Sequence, residues 1–160
     1  MKKILLFSLV LGGLSFAQQR FACIDPNRIL QESQTARKAQ EELRSKFQFY
    51  QKQLDEKAKK LEELKKQIES KAISQKMREE KIREYQKLET EAMEFQQKAQ
   101  KELTELRIKT EDELTKKIKE ISEDISKKAN FTGVLDCSVF VYRSAEIEIT
   151  DEVIKRLDAK

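Results

Sequence analysis

Two side chains in this 160-residue chain stand out for covalent chemistry, Cys23 and Cys137. Two thiols can form a disulfide, attack an electrophile or contribute to a metal site. The last needs more ligands than these, because a structural zinc takes four and the chain has no histidine. The sequence offers no serine or lysine nucleophile with a matching base. It has no phosphate loop either, since its three glycines are Gly12, Gly13 and Gly133. The expectation is therefore a protein that is not an enzyme and carries no cofactor and no metal. For the cysteines, a Cys23–Cys137 bridge and two buried thiols acting as small hydrophobes both fit. Spacing does not show that the two Cα atoms come within about 7 Å, and free thiols are left slightly ahead.

The elements that would position these residues lie at the two ends of the chain. Lys2 and Lys3 precede the apolar run Ile4 to Leu14, and Ser15-Phe16-Ala17 places small residues where a signal peptidase reads. Residues 1–17 read as a cleavable export signal with the mature chain starting at Gln18. The run is too short to span a membrane, which takes about 20 apolar residues. Without Lys2 and Lys3 the 33 basic residues become 31 against 29 acidic, a net charge of +2. The signs are interleaved, as in Glu41-Glu42-Leu43-Arg44 and Glu79-Glu80-Lys81. That pattern is a solvated helical face and excludes the clustered lysine and arginine of a nucleic-acid binder. A mildly basic surface still allows weak contact with anionic lipid.

Between Pro26 and Gly133 there is neither proline nor glycine. Arg20 to Ile24 reads as a strand, and Asp25-Pro26-Asn27 starts a helix. From Arg28 the spacing is helical, and Ala36, Ala39, Leu43, Phe47, Tyr50, Leu54, Ala58 and Leu61 follow an eleven-residue repeat. The repeat falters between Glu69 and Ser74. Ser74 is a good N-cap, which places a hairpin tip near 70–74, with one uninterrupted helix as the rival reading. A second helix then carries Leu88, Ala92, Phe95, Ala99, Leu103 and Leu106 and ends around Asn130. Beyond it, Val134-Leu135, Val139 to Tyr142 and Glu146 to Ile149 read as strands. Thr150-Asp151-Glu152 caps a final helix bearing Val153, Ile154 and Leu157.

The fold class expected is α+β, predominantly helical. A long antiparallel helical hairpin, or coiled-coil arm, over 36–129 stands on a small β-rich body built from 18–35 and 130–160. A body of this size is marginal alone, so closed oligomerisation through the chain ends would complete its core. The candidate body and interface core is Phe21, Ile24, Leu135, Val139, Val141, Ile149, Val153 and Leu157.

The two ends resemble the Skp family of periplasmic chaperones, the OmpH-like proteins. Arg20-Phe21-Ala22-Cys23-Ile24-Asp25 with Ile29-Leu30 and Ser33 is similar to the family's opening strand and first helix. Val134-Leu135-Asp136, Val139 to Tyr142 and Ile149-Thr150-Asp151 with Val153, Ile154 and Leu157 are similar to its closing elements. The charged hairpin, with Ile73-Ser74 and Arg78-Glu79 at its tip, lies between. The sequence departs from the pattern at Ala36, where a glycine is common, and at both cysteines.

The resemblance implies a homotrimer whose β-rich body carries three hairpins around a cavity. That cavity would hold unfolded outer-membrane proteins without ATP during periplasmic transit. Contact with such clients would fall to Phe47, Phe49, Tyr50, Tyr85, Met93 and Phe95. Of these, Phe47, Tyr50, Tyr85 and Phe95 lie on the seam stripe and read first as packing between the two helices. Phe49 and Met93 lie off it and are the better contact candidates. The competing reading is a structural coiled-coil spacer or envelope adaptor. That would favour sustained heptads over interrupted eleven-residue repeats.

Overall fold

The computed structural model of the chain describes residues 19–159, so the expected signal segment 1–17 and its cleavage position lie outside the described residues. Strand β1 (Phe21–Ile24) leads into helix α1 (Pro26–Glu32), then α2 (Gln34–Glu69) and α3 (Gln75–Ala129). Strand β2 (Gly133–Asp136) and helix α4 (Thr150–Asp158) complete the chain. At 1.5 Å per residue, α3 is on the order of 80 Å long. It runs antiparallel to α2, with Tyr50 against Glu102 and Lys57 against Glu91.

Helices α1, α2 and α3 each start where a side chain satisfies free backbone N–H groups, whereas α4 follows Ile149 without such a cap. Asp25 accepts from the amides of Asn27 and Arg28 at 3.0 and 3.2 Å, with Pro26 opening the first turn. Ser74 accepts from Met77 N at 3.3 Å and starts α3. At the hairpin tip, Arg78 Nη2 donates to the carbonyl of Ser70 at 3.0 Å and ties the two arms together. Helix α3 stops at Asn130, whose φ of 55° is the left-handed conformation that asparagine tolerates.

The helix read as continuous from Arg28 is in fact broken at Ser33, which sits in extended conformation between α1 and α2. The break is held from the other end of the chain. Asp158 accepts from Ser33 Oγ at 2.7 Å and from the amides of Gln34 and Thr35 at 2.9 Å, so α4 caps the N-terminus of α2. Burial pushes this carboxyl up, but the donors from Ser33, Thr35 and Gln34 outweigh it and hold its pKa down to about 2. Asp158 therefore stabilises the fold fully above about pH 4, the range of an unfolded aspartate, and loses that contribution as pH falls towards 2. Asp158→Ala should cost about 1–2 kcal/mol in denaturant unfolding at neutral pH. The difference from the unsubstituted protein should shrink as pH falls from about 4 through 2, and a variant equally stable at pH 7 would refute the capping role.

The sheet is smaller than the sequence suggests. β1 and β2 pair in parallel, Phe21 with Gly133 through Ile24 with Asp136, across a connection that contains the entire hairpin. Ile149 N donates to Cys23 O at 2.9 Å, and Glu148 makes a single bridge with Cys23. The stretches read as strands at Val139 to Tyr142 and Glu146 to Ile149 are instead 3-10 turns and irregular segments. Asp136 accepts from Ser138 N at 2.8 Å and turns the chain away from β2, so the following residues meet no neighbouring strand.

Beneath the sheet, Ala22, Ile29, Ile121, Ile125, Ile149, Val153 and Leu157 form one buried cluster. It joins β1, α1, the root of α3 and α4. Arg28 fastens its rim, donating to Glu32, Glu148 and Asp151. Those three carboxylates hold its guanidinium well above the usual arginine range, Glu32 contributing most.

Candidate functional site

The two cysteines meet. Cys23 of β1 and Cys137, the first residue after β2, form a disulfide with Cα atoms 4.9 Å apart, and both are buried. This corrects the leaning towards free thiols. The parallel register places Cys23 opposite Leu135, and the turn at Asp136 carries Cys137 back over β1. With no free cysteine left, the described residues offer no reactive thiol, and among them no group of acidic or cysteine residues is placed to hold a metal. No described helix is long and apolar enough to cross a membrane.

The aromatic candidates separate around the arm. Tyr50 is buried between the two helices. Its ring meets Phe95 and Phe49 edge-on, at centroid distances of 5.7 and 5.5 Å. Its hydroxyl donates to Glu102, which lowers the Glu102 carboxyl and raises the Tyr50 phenol. Lys46 covers the Tyr50 ring and Lys57 the Phe95 ring, at 5.5 and 5.7 Å. Phe95 and Tyr85 are half-buried. Tyr50 and Phe95 are thus seam residues closed over by lysines.

Phe47, expected in the seam, lies at its edge instead. It is 54% exposed, because Tyr50 fills the interface at this level and Phe47 falls to one side of it. Phe49 is 53% exposed and lies about 160° around the helix from Phe47, on the other side of the arm. Met93 is also 53% exposed. Ile82 is exposed as well. Eleven residues close about three turns, so Ile82 and Met93 project from one face of α3. The eleven-residue spacing already present in the sequence was the signal for that stripe.

Phe47 also lines a shallow groove of about 520 Å³ between α2 and α3, together with Leu43, Leu103, Arg44 and Arg107. The α2 residues at 40, 43, 44 and 47 and the α3 residues at 100, 103, 104 and 107 repeat one spacing. Each set is a single helical edge, and the two edges form one side of the hairpin. No side chain in this groove is arranged for bond making. The arm provides apolar surface edged with charge.

The body candidates divide in two. Ile149, Val153 and Leu157 lie in the buried cluster, and Ile24 packs against it half-buried. Phe21, Leu135, Val139 and Val141 are exposed in the chain, Val141 completely, so they form no part of its own core. Tyr142, which was not on that list, is exposed beside them. Leu135, Val139, Val141 and Tyr142 lie on β2 and the segment that follows it, and Phe21 of β1 lies against Gly133 of β2. Arg143 donates to Glu148 at 2.9 Å and anchors the far end of that segment. It holds the Glu148 carboxyl below the usual range, helped by Arg28.

Comparisons with known proteins agree with this architecture. The family model for outer membrane proteins of the OmpH-like type matches residues 20–157. An uncharacterized protein of Aquifex aeolicus (strain VF5) is 41% identical over 158 residues, covering 99% of this chain and 97% of its own. A crystal structure of an OmpH-like protein from Caulobacter crescentus CB15, to which an outer membrane chaperone role has been ascribed, superposes with a TM-score of 0.76. That match has 19% identity and covers 89% of this chain and 86% of the other, a likeness of fold.

Proposed function

The chain belongs to the OmpH-like family of outer membrane proteins, and on that premise we propose that it is an ATP-independent periplasmic holdase. It would bind unfolded outer-membrane proteins and keep them from aggregating on the way to the outer membrane. The observation that carries this reading is the arm itself. Phe47, Met93, Ile82 and Ile108 stand exposed along a charged two-helix arm that has no enclosed site. Such a surface binds by many weak, non-directional contacts, while lysine and glutamate stems lie along the client with their charges in water. Export with cleavage before Gln18 would deliver the protein to a compartment that permits the Cys23–Cys137 disulfide.

A holdase of this kind needs several arms around one volume, and the body suggests how they would be joined. β1 is flanked on both sides, by β2 and by the segment at Glu148, whereas among the described residues β2 pairs only with β1. Beside that open edge lies the β-prone, apolar stretch Val139 to Tyr142. An unpaired edge and an exposed apolar stretch are self-association surfaces. We place the trimer contact there, with three copies closing in a ring as the family resemblance implies.

The arms provide the test. Removing eleven residues on either side of the tip at Ser70–Ser74 shortens both helices by about three turns each and keeps their faces in phase. The shortened protein should remain trimeric. It should lose protection of large unfolded β-barrel proteins before small ones, measured as light scattering after dilution from denaturant at equimolar trimer. Phe49→Ala or Met93→Ala should each weaken holding by under about 1 kcal/mol. Undiminished protection by the shortened arms would favour the spacer or adaptor reading instead.

A further inference from the structure

The groove between Leu43, Phe47 and Leu103 is not a neutral apolar strip. Two arginines, Arg44 and Arg107, are among its lining residues and no aspartate or glutamate is. Arg44 makes no hydrogen bond or ion pair among the described residues, and Arg107 has only Glu111, at 3.9 Å. Some of the arm's basic side chains are instead held close to a carboxylate of their own helix, as at Lys66–Glu62, Lys81–Glu84 and Lys127–Glu123, all within 2.8 Å. The antiparallel pairing that sets Tyr50 against Glu102 sets Arg44 level with Arg107. Phe47 and Leu103 lie about one helical turn, roughly 5 Å, towards the tip.

We propose that this groove recognises one kind of client segment: an extended stretch in which an apolar side chain and an aspartate or glutamate stand two residues apart. In an extended chain, residues i and i+2 point the same way and stand roughly 7 Å apart. An apolar side chain against Phe47 and Leu103 therefore brings the carboxylate to the level of Arg44 and Arg107. Arginine suits this role because its planar fork accepts a carboxylate in two parallel hydrogen bonds. The contact gives selectivity to an otherwise diffuse surface, since a segment with lysine in place of the acid would be repelled. The assignment deepens the holdase reading and rests on it.

Two fluorescein-labelled unstructured peptides, identical except for Glu or Gln two residues after each Phe, test the assignment against the full mature protein at low ionic strength. The Glu peptide should bind about fivefold more tightly. Arg44→Gln/Arg107→Gln, a double change at exposed helical positions, should bind both peptides alike while keeping its helical circular dichroism. Equal binding by the unsubstituted protein, or a preference that survives in the double variant, would overturn the assignment. Suppression of aggregation of an unfolded outer-membrane β-barrel, measured alongside, separates the two ideas. Protection without a Glu preference defeats the groove assignment alone, and neither protection nor peptide binding defeats the holdase reading with it.

Discussion

Replacing both cysteines, Cys23→Ala with Cys137→Ala, should lower the stability of the protein by about 2–4 kcal/mol. The residues are 114 apart in sequence, so the bridge closes a loop that contains the whole hairpin. In the chain-entropy account such a loop removes close to 5 kcal/mol of freedom from the unfolded ensemble, and native-state effects commonly reduce what is measured. The small body makes the effect consequential. Its sheet has two short strands, and its buried cluster draws on segments from both chain ends. Without the bridge, β1 and β2 are held only by their backbone pairing and by the helices around them. The melting temperature at fixed protein concentration should fall by roughly 10 °C. Reduction of the unsubstituted protein under denaturing conditions, followed by refolding with the thiols kept reduced, should reproduce the loss. Alkylation of denatured, unreduced protein should label neither cysteine. Two labelled cysteines, or a double variant as stable as its parent, would show that the bridge does not hold the ends together.

Regular and repetitive parts of this protein are legible from sequence, and parts that depend on distant contacts are not. The eleven-residue spacing, the run without proline or glycine and the caps at Asp25 and Ser74 are local, and each acts on its own helix. The break at Ser33 is different. Serine inside a helical run is unremarkable until Asp158 arrives from the far end to cap it. The disulfide is similar, since its geometry exists only after β1 and β2 pair. Phe47 was misplaced because a stripe wide enough to bury Tyr50 includes positions at its edge. Spacing ranks Phe47 and Tyr50 alike, while only Tyr50 packs on Phe95 and donates its hydroxyl to Glu102 across the seam. The segment Val139 to Tyr142 has strand composition, but a strand requires an edge to pair with, and its own chain turns it away from one.

That unpaired segment gives the sharpest test of assembly. Val141→Asp should leave the fold of the individual chain unchanged and should dissociate the oligomer. In the chain Val141 is fully exposed, and the backbones of Val141 and Tyr142 make no hydrogen bond to other described residues. An aspartate there costs the isolated chain almost nothing, as for most surface changes. In an assembly that covers this stretch the same carboxylate would lose its water without gaining a partner, at a cost of several kcal/mol. That is enough to reverse an association of ordinary strength. Light scattering coupled to size exclusion should therefore give three times the mature mass for the parent and the single-chain mass for Val141→Asp, with matching helical circular dichroism. The substitution should also abolish protection of large clients, because separated arms enclose nothing. Leu157→Asp makes the opposite control: it places the charge inside the chain's own buried cluster and should unfold the body itself. A parent that is monomeric at micromolar concentration would remove the trimer. A Val141→Asp protein that stays trimeric would move the interface away from this segment, and the exposed side of β2 would then have to carry it.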